Sequence, residues 1–131
     1  MANKKPAKKQ IEKMAEEIRS FLIKHELWID VTIYFNGIAF STSDGKRYAY
    51  NDPDNLIVLE NENPRDYFEY VNPDHILSMS FEGPLYSCLN MTGEYSHPFE
   101  KMVIKELSNI FLKYGCYYEL GNSWNLSLFL I

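Results

Sequence analysis

Two alternating stretches on either side of Asn36-Gly37 constrain the fold of this chain more than any other feature. The residues before the dipeptide read VTIYF and those after it read IAFST. Asn-Gly favours the type I′ turn, whose twist matches that of a β-hairpin. A two-residue turn places Phe35 opposite Ile38 and Ile33 opposite Phe40. The sequence therefore predicts an antiparallel hairpin whose core face carries five apolar residues: Val31, Ile33, Phe35, Ile38 and Phe40.

A second tight turn is predicted at Asp44-Gly45, directly after this hairpin. It pairs Ser43 with Lys46 and Ser41 with Tyr48. Because side chains alternate between the faces of a sheet, this register sends Tyr48 and Tyr50 to the face opposite the core. The same face carries Thr32, Tyr34 and Ala39, so we expect a second sheet face rich in tyrosine.

Two amphipathic helices are predicted outside this region. Apolar residues recur every three or four positions from Ile11 to Leu22, and again from Pro98 to Tyr114, with Gly115 just past the second segment. Asn63-Pro64 favours a short helical turn that carries Tyr67 and Tyr70. Further strands are predicted at 56–59, 76–81, 85–90, 116–120 and 124–130.

These elements predict an α+β fold, with two helices and a largely antiparallel sheet of about six to eight strands. Residues 11–131 form the single domain, and residues 1–10 form a basic flexible tail. Four of the 13 basic residues lie in that tail, so the domain carries 9 basic against 18 acidic side chains. An acidic domain is a poor partner for nucleic acid, because phosphate binding requires clustered lysine and arginine.

The sequence contains no pattern typical of a membrane protein or of a known catalytic site. No apolar run approaches the roughly 20 residues of a bilayer span, and MANKKPAKKQ lacks a signal-peptide core, so we expect a cytoplasmic protein without a membrane partner. CxxC, HExxH and phosphate-binding glycine motifs are absent from the sequence, and neither a catalytic residue, a metal nor a cofactor is predicted. An alternative cleft for a small molecule or a reaction could use His75 and Glu82.

Aromatic residues make up 15% of the chain, which is high for a domain of this size. We interpret the tyrosines as anchors for a protein partner, because aromatic side chains dominate protein interfaces. Two other interpretations remain open: a helix or loop covers the tyrosine face, or the face or an edge strand is buried in a homo-oligomer. The predicted partner-binding residues are Tyr34, Tyr48, Tyr50, Tyr67 and Tyr70.

The segments HILSMSFEGPLYSCLN and YGCYYELGNSWNLSLFLI resemble short uncharacterised proteins of Gram-positive gut bacteria, often found near phage or conjugative elements. The resemblance covers residues from about 10 to 131 and contains no motif with an assigned activity. It implies an accessory or anti-defence protein. The leading hypothesis is a non-enzymatic protein that binds a protein partner through its acidic, tyrosine-rich surface, with a basic nucleic-acid-handling enzyme as one candidate partner and inhibition or scaffolding both open as its role.

Overall fold

The computed structural model describes residues 4–90 and 97–131 and shows an α+β fold, as predicted. Helices and strands alternate irregularly along the chain, and a three-residue 3₁₀ helix, Pro64–Asp66, lies between the third and fourth strands. The elements are α1 (Lys8–Lys24), β1 (Val31–Phe35), β2 (Ile38–Ser41), β3 (Ile57–Leu59), β4 (Ser78–Phe81), α2 (Pro84–Asn90), α3 (Pro98–Lys113), β5 (Cys116–Leu120) and β6 (Asn125–Leu130).

The six strands form one antiparallel sheet in the order β3-β2-β1-β4-β6-β5. The hairpin around Asn36-Gly37 has the predicted register, with Phe35 opposite Ile38 and Ile33 opposite Phe40. Gly37 has φ +79°, which is the left-handed conformation that this turn requires. The terminal hairpin of β5 and β6 is confirmed as well.

One face of the sheet and the three helices enclose the main core. Val31, Ile33 and Phe35 of β1 lie on this face beside Met79 and Phe81 of β4, all fully buried. From the helices, α1 contributes Ile11, Met14, Ile18 and Leu22, α2 contributes Leu85 and Leu89, and α3 contributes Val103, Leu107 and Phe111. The predicted apolar stripes of α1 and α3 are therefore the stripes that pack on the sheet.

The prediction of a strand over residues 85–90 was wrong, because this segment is the helix α2. Pro84 begins the helix, where its missing N–H costs no hydrogen bond. The buried residues Leu85, Cys88 and Leu89 have helical spacing. A six-residue apolar run of this kind fits both the helical and the strand period. The residues around it, and not its own period, therefore determine that it forms a helix.

The prediction of a two-residue turn at Asp44-Gly45 was also wrong. Ser43 pairs with Tyr48 in a single bridge, and Ser41 pairs with Ile57 of β3 instead. The Asp44 carboxylate accepts hydrogen bonds from the backbone N–H groups of Lys46 and Arg47, each at 2.9 Å, which stabilises a wider turn. Asn51 then exchanges two hydrogen bonds with the backbone of Trp28, and this draws the chain away from the sheet.

The N-terminal helix begins earlier than predicted. Lys8, Lys9 and Gln10 were assigned to the flexible tail, but they form the first turn of α1. Residues 1–3 of that tail lie outside the described part of the chain. Within residues 4–90 and 97–131, the helices are too short or too polar to cross a bilayer.

Candidate binding groove

The sheet face opposite the main core carries small hydroxyl side chains in neighbouring positions on four strands. Thr32 lies opposite both Ser41 and Ser80, and Ser78 lies opposite Ser127. The hydroxyl oxygens of Thr32 and Ser41 are 3.0 Å apart, and those of Ser78 and Ser127 are 2.7 Å apart. Because Thr32, Ser41 and Ser80 are small and polar, they line a depression in the sheet surface, whereas Ser78 and Ser127 are buried outside it.

Aromatic side chains form a wall beside this depression. Phe68 comes from the loop of residues 60–77 and packs edge-on against Tyr34 and Trp124, with ring centroids 5.3 and 5.5 Å apart. Tyr67 of the same loop lies 5.7 Å from Tyr34. Phe68 and Tyr34 are buried by this packing. The loop therefore covers part of the tyrosine face, which is one of the alternatives that the sequence left open.

The depression and its wall enclose an open groove with a volume of about 580 Å³, within the usual range for ligand sites. Its lining combines hydroxyl, aromatic and carboxylate side chains. We call it the acidic groove and define it by the residues that line it: Asp30, Thr32, Tyr34, Ser41, Thr42, Ser43, Asp66, Tyr67, Phe68, Ser80, Glu82 and Trp124.

Backbone pairing places two of the three acidic residues of the groove, Asp30 and Glu82, next to each other on neighbouring chain segments. Asp30 directly precedes β1 and Glu82 directly follows β4, and Val31 pairs with Phe81. The Glu82 N–H donates a hydrogen bond to the Asp30 carbonyl at 3.1 Å. Gly83 permits this approach, since a Cβ there would lie 2.3 Å from the Ile29 carbonyl oxygen.

The third carboxylate, Asp66, reaches the groove from the 3₁₀ helix. Asn63 caps this helix by accepting a hydrogen bond from the Arg65 N–H at 3.0 Å, as the Asn-Pro signal predicted. Asp30, Asp66 and Glu82 are all exposed at the rim. Within the described part of the chain, none of them forms a salt bridge, and the groove lining includes no lysine, arginine or histidine.

Two further predicted tyrosines lie next to the groove and do not line it. The Tyr50 hydroxyl donates a hydrogen bond to the Asp30 carboxylate at 2.7 Å, which raises the pKa of Tyr50 to about 12. Tyr48 is 67% exposed and packs against Tyr50, with ring centroids 5.3 Å apart. The Tyr67 hydroxyl similarly donates to Glu62, and this hydrogen bond raises the pKa of Tyr67. With raised pKa values, the phenols of Tyr50 and Tyr67 stay neutral at physiological pH.

Tyr70 is 62% exposed and lies apart from the other four tyrosines, in a separate depression formed with Glu119, Leu120 and Phe129. The acidic groove therefore brings Tyr34 and Tyr67 together, Tyr48 and Tyr50 flank it, and Tyr70 belongs to a different surface. Tyr34 forms part of the buried wall and is only 7% exposed.

The structure does not bring His75 and Glu82 together. His75 precedes β4 and Glu82 follows it, so the two side chains lie at opposite ends of a strand. Glu82 lines the acidic groove, whereas His75 lines a cavity formed with Lys5, Lys8 and Asn36. Its Nε2 atom is buried without a hydrogen-bond partner among the described residues.

We expect His75 to make the domain less stable in mild acid. Burial lowers the pKa of His75 from 6.5 to about 4, with smaller contributions from the nearby positive charges of Lys5 and Arg65. Between these two pH values the unfolded chain binds a proton that the folded chain excludes, so stability falls as the pH drops from 6.5 towards 4. Because the ring is partly solvated, we expect a loss of about 1–2 kcal/mol.

Denaturant unfolding at pH 7 and at pH 4.5 measures this effect. Acidic residues also titrate in this range, so the measured quantity is the difference between the native chain and His75→Gln, which does not titrate. If the native chain and His75→Gln lose the same amount of stability between pH 7 and pH 4.5, the effect does not come from His75.

Sequence reasoning missed most of the groove. No local sequence pattern indicated that four of the lining residues belong to one site: Asp30, Asp66, Ser80 and Trp124. They come together only through the pairing of β1 with β4 and the packing of the loop. The strand predicted over residues 124–130 would, by alternation, place Trp124 on the same face as Leu126. Trp124 lies instead in the turn before β6, where it packs against Phe68 on the opposite face.

Comparison of the chain with protein-family models, with curated proteins and with solved structures found no match. Among the residues that the structure describes, no cluster of three or more histidine, cysteine or acidic side chains could hold a metal ion. The two cysteines, Cys88 and Cys116, are both buried and reduced, and burial raises the pKa of each thiol.

Proposed function

We propose that this protein is a non-enzymatic binding protein that binds a basic protein partner through the acidic groove and the tyrosines beside it. One observation carries the proposal: three exposed carboxylates share a concave aromatic site with no basic side chain to neutralise them. Such a site attracts positive charge and repels negative charge. The domain as a whole is also acidic, with 9 basic against 18 acidic residues after residue 10, so it too attracts positive charge and repels negative charge.

The resemblance to short proteins near phage and conjugative elements suggests the kind of partner. An accessory or anti-defence protein of such an element could inhibit an enzyme that handles nucleic acid, because these enzymes present basic surfaces to phosphates. Carboxylates at the groove would then compete for the same positive charges. We therefore favour a basic, nucleic-acid-handling protein as the partner.

Reversing charge at the groove tests this proposal. We expect Asp66→Lys with Glu82→Lys to abolish capture of the partner from a nuclease-treated lysate of the source organism, as measured by mass spectrometry. Glu12→Lys with Glu106→Lys is the matched control, because it changes the net charge equally on exposed helical positions. Capture by the control but not by the groove variant supports the proposal. Capture of the same proteins by both variants overturns it.

Tyr48 and Tyr50 allow a second test that leaves the groove carboxylates in place. Both rings are exposed, so substitution with serine removes contact area without opening the core. If these rings anchor the partner, Tyr48→Ser with Tyr50→Ser weakens binding by at least about tenfold. Tyr34 is unsuitable for this test, because it is buried and its loss would disturb the loop. Unchanged affinity would remove Tyr48 and Tyr50 from the interface.

A homo-oligomer is the second candidate, and the edge strand β5 favours it. Within the described chain β5 pairs on one side only; its residues Tyr117 and Leu120 are exposed, and so is Leu112 of α3. An uncovered edge strand with apolar neighbours invites pairing with a second copy. Light scattering at micromolar concentration distinguishes a 15.4 kDa monomer from a dimer. A dimer that Tyr117→Lys dissociates would support pairing through β5, and a monomer would exclude it.

A further inference from the structure

We infer that the acidic groove receives an arginine side chain of the partner, an inference that rests on the proposed function. The first reason is shape. The surface is concave, with hydroxyl groups of Thr32, Ser41 and Ser80 at its floor and carboxylates at its rim. A concave site accepts a side chain, whereas a protruding surface would insert into the partner.

The second reason is charge. Asp30 and Glu82 are neighbours along the chain segments that the pairing of β1 with β4 brings together, and Asp66 of the loop lines the same groove. Carboxylates that line one groove give it a negative potential, and a cation bound there neutralises it. No basic side chain of the described residues lies in the groove to do so. The uncompensated charge therefore favours a cationic group from outside the domain.

The third reason is the mixture of ring faces and separated acceptors, which suits arginine better than lysine. Tyr67 is exposed and Trp124 is half-buried, so both present ring surface to the groove. A guanidinium group is planar, stacks on aromatic rings and carries five N–H donors that can reach several acceptors at once. An ammonium group is a compact, strongly hydrated charge and gains less from such a site.

The two tryptophans provide a direct measurement. Trp124 lines the groove, whereas Trp28 is fully buried in the main core and serves as an internal control. NMR spectra of the ¹⁵N-labelled protein would follow both indole N–H signals, assigned with Trp124→Phe. The probe is the capped tripeptide Gly-Arg-Gly, compared with the same peptide carrying lysine or citrulline. Citrulline has the shape of arginine without its charge.

We expect the arginine peptide to shift the Trp124 signal saturably, with a Kd of about 1–10 mM, and to leave the Trp28 signal in place. The lysine peptide should bind at least about threefold more weakly and the citrulline peptide at least about tenfold more weakly. Asp66→Asn with Glu82→Gln should weaken the arginine peptide about tenfold, and Glu12→Gln with Glu106→Gln should not.

Three outcomes would overturn the inference: no saturable shift up to about 20 mM arginine peptide, equal binding of the citrulline peptide, or lysine binding as tightly as arginine. The failures of the two proposals are distinguishable. If charge reversal at the groove abolishes capture of the partner but the peptides bind equally, the groove binds a partner without selecting arginine. If charge reversal leaves capture unchanged, the proposed function itself fails, and with it this inference.

Discussion

Gly83→Ala is expected to destabilise the domain by about 2–4 kcal/mol. A Cβ at this position would lie 2.3 Å from the Ile29 carbonyl oxygen and 3.1 Å from the Ile29 carbonyl carbon. Both are backbone atoms, so the turn between β4 and α2 must move away from the start of β1. That movement adds the cost of overpacking, about 1–3 kcal/mol, to the loss of the hydrogen bond from Glu82 to Asp30, about 0.5–1.5 kcal/mol.

Urea unfolding monitored by circular dichroism measures the free energy of unfolding of this variant. Gly45→Ala is the matched control, because nothing lies within 4 Å of a Cβ there and only the backbone conformation, φ +89°, opposes the substitution. We expect the control to cost about 1 kcal/mol. Equal losses for both variants would show that close approach at Gly83 does not limit stability.

Gly83→Ala also connects the fold to the proposed site. Asp30 and Glu82 are adjacent because β1 pairs with β4, and the close approach of Gly83 to Ile29 continues this contact beyond the strand ends. A variant that separates them should bind the arginine peptide more weakly even where it remains folded. Binding measured at a temperature well below the unfolding midpoint separates this local effect from global unfolding.

The elements that depend on local signals could be predicted from the sequence, and those that depend on distant contacts could not. The register around Asn36-Gly37 follows from the turn chemistry of two residues, and α3 follows from sixteen residues of helical period between Pro98 and Lys113. The segment 85–90 was too short for its period to be decisive. The pairing of Ser41 with Ile57 depended on the hydrogen bonds that Asn51 makes to Trp28, 23 residues away.

The same distinction between local signals and distant contacts explains why the tyrosine-bearing sheet face was predicted and the groove was not. Tyrosine-rich composition and strand alternation indicated a second sheet face that carries Tyr34, and Tyr34 does lie on the face opposite the main core. The groove itself arises from the contrast between small residues such as Ser80 and the large rings of Phe68 and Trp124. Ser80, Phe68 and Trp124 belong to a strand, a loop and a turn that no local sequence pattern brings together.

Phe68→Ala is the substitution that should most clearly separate the groove from the rest of the fold. Phe68 is 5% exposed and contacts both Tyr34 and Trp124, yet it lies outside the main core between the sheet and the helices. Truncation of a buried phenylalanine costs about 3–5 kcal/mol when its surroundings cannot collapse. Because this smaller cluster lies under a surface loop, we expect a value near the lower end, about 3 kcal/mol.

We expect Phe68→Ala to destabilise the loop locally as well as to lower the free energy of unfolding of the whole domain. Without the Phe68 ring, the middle of the loop of residues 60–77 loses its buried apolar contact with Tyr34 and Trp124, so limited proteolysis should cleave there first. We expect the helical circular dichroism signal to persist, while binding of the arginine peptide is lost because Tyr67 and Asp66 move with the loop. Phe99→Ala is the control, since Phe99 is exposed on α3 and its truncation should cost under about 1 kcal/mol. Persistent peptide binding in Phe68→Ala would mean that the loop does not form a wall of the site.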